Sequence, residues 1–384
     1  MAMKKQVTTV AAVFAYFVLY APQPLLPGFA NEYGIGISQA GALMTATLIP
    51  LALAPLFYGY LLSAISPAKL LRYAVFCMGL SCLAFANSHS YDFSWAIRFL
   101  QGLLLPAALT AITTYIGTHS LADELQKNMS LFITATIIGG LFGRISAGFF
   151  ATYLSWRLFY YALATILFLI AWRIPVDNKA AKTQYARLSI NSIARAFTVK
   201  GVVSLYAGIF CLFFSFVALL NYLPFILKNL MQNPGEMTLG LMYCGFIMGA
   251  VSSLNAHRLI VLFGNTKRVM IVAYAAFLCA IVILSVKHVV IIFLVLFLFC
   301  GSMFLVHSVA AAEVNKRSYD NKSMLNALYV TFYYSGGVAG SYLPGLVYEN
   351  VGSGGFFICL LLISGGGFLI LLGLPLSSEK SSLD

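Results

Sequence analysis

Charge is what this chain has least of: Asp, Glu, Lys and Arg make up 9% of its 384 residues, and only eleven of them are acids. A soluble domain carries about a quarter, so a free-standing soluble protein is excluded. Nothing in the chain resembles a phosphate-binding glycine loop, a catalytic triad or the paired carboxylates of acid–base catalysis, which leaves an enzyme or an ATP-driven pump without chemistry. Cysteine is sparse as well. The seven cysteines (Cys77, Cys82, Cys211, Cys244, Cys279, Cys300 and Cys359) all lie in apolar segments without metal-ligand spacing. They read as small buried hydrophobes, so no metal or redox site is expected. Lys4 and Lys5 precede an apolar run, but that run continues through Pro22, Gln23, Pro24 and Pro27 with no small-residue cleavage site. It reads as a first membrane helix and not as a removed signal.

What fills the chain instead is apolar: 61% hydrophobic residues and a mean hydropathy of +0.91. Runs near the 20-residue span length fall at 8–29, 39–62, 70–88, 94–117, 129–152 and 156–174, and again at 201–226, 238–257, 269–286, 289–311, 324–347 and 354–375. The reading is an all-α polytopic membrane protein of twelve helices in two six-helix bundles. Residues 1–174 form the first bundle and 201–384 the second, ending in a short tail. Between them, 175–200 is polar and basic, a linker with a short surface helix over LSINSIARAF. With the N-terminus in the cytoplasm, eighteen of the 23 Lys and Arg fall on that side and three outside, leaving Arg98 and Arg144 in the membrane. The positive-inside rule therefore accounts for most of the net charge of +12, with both termini and the linker cytoplasmic, and a nucleic-acid partner has nothing to rest on.

The two halves echo each other. Gly139, Gly140, Gly143 and Gly148 recur 197 positions later as Gly336, Gly337, Gly340 and Gly345, a frame of gating and packing glycines where neighbouring backbones can approach. Arg144, inside the first frame, meets Ser341 in the second. A shift of 198 lays His257 on Gly59, Leu259 on Leu61, Lys267 on Lys69 and Asn221 on Gln23. Parallel half-repeats of this kind face each other across a midplane cavity.

The candidate solute site follows from polar residues within the spans. A charge at bilayer depth is costly and by default functional, which singles out Arg98 and Arg144. At about 1.5 Å per residue both sit in the outer half, where they could share one cavity. Two readings of Arg98 stand: a lock on the carbonyls of the first helix, or a residue of the solute or proton path. All eleven acids fall in loops or at helix ends, so neither arginine has an internal counter-ion, which favours a negatively charged solute. His307 is the histidine well inside a span, either a satisfied core residue or the carrier of a coupling proton. Gln23, Gln101, Asn221, Tyr222, Tyr333 and Tyr334 complete the candidates, because polar groups in a helix bundle need partners.

Several short motifs carry a resemblance over nearly the whole chain: QPLLP at 23–27, RFLQG at 98–102, GGLFGR at 139–144, SWR at 155–157, SFVALLNY at 215–222, HSVAA at 307–311 and FYYSGGVAG at 332–340. Together they make the chain similar to major facilitator superfamily transporters, and within them to the arabinose-efflux and acriflavine-sensitivity permeases. That resemblance implies a secondary transporter of a bacterial inner membrane, its two bundles rocking about a central site, with Arg98 and Gln101 in the family's fourth-helix motif. It also implies efflux of a drug-like or metabolite solute. The arginines without acids point instead to an organic anion, such as a polycarboxylate metabolite or siderophore, for which import is as open as export. A non-transporting membrane receptor is the alternative of a different class. No cofactor is expected beyond a coupling proton; the expected partners are the solute and the lipid bilayer, and the expected state is a monomer.

Overall fold

The structure, a computed structural model, describes residues 2–120, 122–174, 190–232, 234–317 and 322–375. Residues 175–189 of the expected linker and the tail at 376–384 lie outside the described residues. Among the described residues the regular structure is entirely helical, as it must be where lipid offers no partner to an open backbone. The first half comprises α1 (Ala2–Tyr20), α2 (Leu26–Tyr33), α3 (Ile37–Ala64), α4 (Pro67–Ala86), α5 (Tyr91–His119), α6 (Ala122–Tyr153) and α7 (Trp156–Arg173). After α8 (Ile190–Thr198), which matches the short helix expected in the linker, come α9 (Val202–Leu230), α10 (Glu236–Leu241), α11 (Phe246–Leu254), α12 (Ala256–Phe263), α13 (Thr266–Leu284), α14 (Val289–Lys316) and α15 (Lys322–Leu372).

Ten of these segments are long and apolar enough to cross a membrane. One of them is the fused α15, whose Gly352 has a φ of 78° that glycine adopts without penalty; it divides the helix into two spans, 322–351 and 353–372. The eighteen residues of α7, closed by Arg157 and Arg173, supply the twelfth. Two expected spans are broken rather than continuous. Pro22 and Pro24 cannot donate to the preceding turn, so α1 stops at Tyr20 and a 3₁₀ turn over Gln23–Leu25 leads into α2. The span expected at 238–257 is likewise interrupted by a 3₁₀ turn over Met242–Gly245.

Caps set several starts: Ser66, Ser90, Ser155 and Asn265 each accept from a backbone N–H in the first turn of α4, α5, α7 and α13. The halves pack alike, with α1 on α6 and α9 on α15, while α3 against α15 and α6 against α10 and α11 join the bundles. The glycine frame explains the first pair of contacts. A Cβ at Gly139 would meet the Val13 carbonyl and one at Gly143 the Phe17 backbone; at Gly336 and Gly340 it would meet the Phe210 and Phe214 carbonyls. Val13 and Phe210, like Phe17 and Phe214, are themselves 197 apart. Gly148 faces the opposite bundle against Glu236, and Gly345 lies between Tyr222 of its own bundle and Ser38 of the other.

Call the end of the bundles that carries Arg173, α8 and Arg317 the linker end, and the other the far end. Hydrogen bonds between the bundles gather toward the far end. The Met237 N–H donates to Thr152 Oγ1 (2.8 Å), Ser38 donates to Glu349 through both its N–H (2.9 Å) and its hydroxyl (2.7 Å), and the Thr45 and Ser341 hydroxyls pair. The far end is closed in this structure.

Candidate functional site

Arg98, buried in α5, is bound into its own bundle. Nε donates to Leu43 O (3.3 Å), Nη1 to Val18 O and to Gln101 Oε1 (both 2.7 Å), and Nη2 to Leu19 O (2.9 Å) and Met44 Sδ (3.9 Å). All five N–H bonds of the guanidinium are thereby engaged. Pro22 has no N–H to give Val18 O, so the proline that ends α1 also exposes an acceptor that Arg98 takes. Gln101 is equally enclosed, with its amide nitrogen against Cys82 (4.0 Å). The expectation of one cavity shared by Arg98 and Arg144 is corrected: Arg98 faces the carbonyls of α1 and α3 inside the first bundle, and its geometry is that of a lock.

Arg144 lies between the bundles, and its environment is different. Nε donates to Gln23 Oε1 (2.6 Å) and Nη1 to Gly140 O one turn back; among the described residues its remaining N–H bonds have no acceptor. Three rings surround the guanidinium carbon, Tyr20 of α1 at 4.0 Å from the ring centroid, Phe246 of α11 at 4.4 Å and Tyr243 at 4.7 Å. Aromatic faces attract a desolvated cation, so they hold the charge without engaging its donors. No carboxylate helps: the one buried acid among the described residues, Glu313, pairs with Arg317 at 2.9 Å near the linker end.

From Arg144 a chain of amides runs across the interface. Gln23, at 1% exposure, donates from Nε2 to Asn221 Oδ1 (2.7 Å). These two amides are the pair that the repeat aligns, 198 positions apart, so repeat-related residues meet on the axis relating the bundles. The same symmetry covers their surroundings. Arg144 reaches Tyr243 and Phe246, and its counterpart Ser341 bonds Thr45 beside Leu48; Thr45 and Leu48 are each 198 positions before Tyr243 and Phe246.

The remaining candidates separate into two groups. Tyr333 and Tyr334 are half-buried; Tyr333 stacks on Phe213 (3.7 Å between centroids) and meets the His307 ring at a tilt (4.5 Å), and Tyr334 meets Tyr16 of α1 across the interface. His307 is also half-buried and its Nδ1 lies 3.0 Å from the Tyr329 hydroxyl. Tyr222 is not brought to this space. It is fully buried, with its hydroxyl donating to Ser341 O (2.6 Å) and lying against Gly41 of α3, so it packs the bundle interface away from Arg144. The sequence reading missed Tyr20, Tyr243 and Phe246. Their signal was present in the 198 offset, which places Tyr243 and Phe246 where the first half has Thr45 and Leu48.

A site of this composition offers donors at its polar positions and ring faces around them. The chain is 27% identical over 368 residues to the uncharacterized MFS-type transporter YybF of Bacillus subtilis, covering 92% of this chain and 90% of that protein. It is 26% identical over 363 residues to the inner membrane transport protein YnfM of Escherichia coli, covering 92% and 86%. Its fold matches that of a single-site variant of the nucleoside transporter NupG with a TM-score of 0.80 and 14% identity, covering 96% of this chain and 98% of that one. A family model described as Major Facilitator Superfamily spans residues 8–341; with its twelve-span architecture, the chain belongs to that superfamily and is a multi-pass membrane transporter.

Proposed function

We propose that this transporter moves a small organic anion across a bacterial inner membrane, exporting it from the cytoplasm. The observation that carries the reading is the contrast between the two buried arginines: Arg98 has all five N–H bonds engaged, whereas among the described residues Arg144 has partners for two. A buried cation with unengaged donors and no internal acid is matched by a carboxylate, which a guanidinium binds through two parallel hydrogen bonds. The half-buried Tyr16, Tyr20, Tyr333 and Tyr334 favour a solute with apolar or aromatic surface, in keeping with the drug-like and metabolite substrates of the efflux branch. Export itself rests on the resemblance to the arabinose-efflux and acriflavine-sensitivity permeases. The excess of basic residues in the loops supports a cytoplasmic side for the termini and 175–200; in this reading the closed far end faces outward and the solute is taken up from inside. The bundles 1–174 and 201–384 then rock about the amide pair on their axis, as a monomer needing no cofactor. Where a proton drives the cycle, His307 beside Tyr329 is its carrier, since the spans hold no suitable acid.

The test is uptake into vesicles of a panel of carboxylates and cationic dyes, with and without a pH gradient, for the native chain and for Arg144→Lys and Arg144→Ala. Carboxylate transport nearly abolished in both variants, with protein still reaching the membrane, is expected, because lysine offers a point charge where the site needs a planar fork. Dye transport without carboxylate transport, or normal transport by Arg144→Ser, would overturn the anion reading.

A further inference from the structure

We infer that Asn221 is the second solute-binding group of this site, contributed by the opposite bundle, and that Gln23 is the positioning residue that aims it. The inference rests on the organic-anion reading of Arg144. It starts from the direction of the hydrogen bonds. An arginine has no acceptor, so Gln23 must turn its oxygen to Arg144, as it does (2.6 Å). Its nitrogen then faces Asn221 and can only donate, which forces Asn221 to present Oδ1 (2.7 Å). The Asn221 Nδ2 group is consequently turned away from the clasp. It is fully buried and has no hydrogen-bond partner among the described residues.

A stranded buried amide is costly and calls for a physical reason. Holding the bundles together is not one, since an aspartate or threonine at 221 would offer Gln23 the same acceptor and strand no NH₂. Nor do the neighbouring hydroxyls complete it: those of Tyr243 and Tyr222 donate to Leu220 O and Ser341 O, and neither oxygen accepts from Nδ2. The arrangement is held rigid, because Gln23 sits in a 3₁₀ turn between Pro22 and Pro24 with φ restricted on both sides. Donors are thus left over at both ends of one chain, on Arg144 in the first bundle and on Asn221 in the second. The ligand that completes both has two acceptor groups: a dicarboxylate, or a carboxylate with a carbonyl or hydroxyl. Because Gln23 and Asn221 meet on the axis between the bundles, such a solute is held by both at once.

The experiment is counterflow in liposomes with succinate paired against butyrate and phthalate against benzoate, for the native chain, Asn221→Leu, Asn221→Asp and Gln23→Glu. For the native chain, KM is expected to be at least tenfold lower for the dicarboxylate of at least one pair. Asn221→Leu and Asn221→Asp each remove the donor, and either should raise that KM tenfold or more. Gln23→Glu still accepts from Arg144 but lets the Asn221 amide turn its NH₂ inward, so the ratio of the two KM values should fall to within threefold of one. Unchanged dicarboxylate KM in whichever Asn221 variants fold, or equal native KM for both members of each pair, would overturn the role of Asn221 while leaving Arg144 as an anion site. Failure of the native chain to move any of the four carboxylates would remove the anion reading itself, and this inference with it.

Discussion

The closed far end rests on two caps that each bundle lends the other, and their removal makes a quantitative prediction. Thr152, at the end of α6, accepts from the Met237 N–H at the start of α10 (2.8 Å). Glu349, 197 positions further on, accepts from Ser38 at the start of α3 through two bonds of 2.9 and 2.7 Å. Each is an N-terminal helix cap supplied from across the interface, and glycines make room for both: a Cβ at Gly235 would press on the Thr152 side chain and one at Gly36 on the Glu349 carboxylate. Opening the far end must break both caps. Thr152→Val loses one cap, worth about 1 kcal/mol. Glu349→Ala loses two bonds, taken at the neutral value of about 1 kcal/mol each because the residue is exposed. The two sites share no partner, so the double variant should favour the open far end by about 3 kcal/mol, a change of roughly a hundredfold in the closed-to-open ratio. Spin labels at residues 87 and 288, on the far ends of the two bundles, would report it in a background with the native cysteines replaced. A population at longer distance should appear, small in each single variant and dominant in the double. An unchanged distance distribution in the double variant would refute the argument that these caps hold the gate.

Arg98→Ala strands buried carbonyls of Val18, Leu19 and Leu43 and should cost about 3–5 kcal/mol of stability, seen as a lowered unfolding midpoint in detergent; an unchanged midpoint would return Arg98 to the list of solute contacts. Gly340→Ala forces a Cβ onto the Phe214 carbonyl and should destabilise by about 1–3 kcal/mol of overpacking, whereas the same change at Gly354, with open space around it, should be tolerated. If a proton drives transport, His307→Gln should abolish dependence on a pH gradient while solute binding stays measurable, and retained dependence would clear His307. Reporter fusions should place both termini and residues 175–200 on the cytoplasmic side, with an externally accessible linker sinking the topology.

The spans were legible because helix formation in lipid is a local demand: a run of about 20 apolar residues has no other way to satisfy its backbone. The glycine frame was legible for a related reason, since close backbone approach can be met only by a missing side chain, and that leaves a mark at fixed spacing. The offset that aligns Gly139 with Gly336 also relates the backbones they touch in the structure, Val13 and Phe210. Proline marked the break after Tyr20, but no proline marks the 3₁₀ turn at Met242–Gly245, where Gly240 packs beside Arg144 and Gly245 beside Leu296.

The roles of the polar residues were a different matter. Arg98 and Arg144 are the same residue type at similar depth, and nothing near either in sequence separates them. Only the tertiary structure does so, by bringing the carbonyls of α1 and α3 to one and leaving the other among rings from both bundles. Tyr222 and Asn221 are adjacent, yet a helix turns them about 100° apart, so the hydroxyl reaches Ser341 O while the amide reaches Gln23. By itself the sequence determined the elements, their pseudo-repeat and the residues available for a site. Which donors are engaged and which remain open was decided by tertiary contacts between segments up to 198 residues apart, because hydrogen-bond satisfaction depends on partners brought together by the fold.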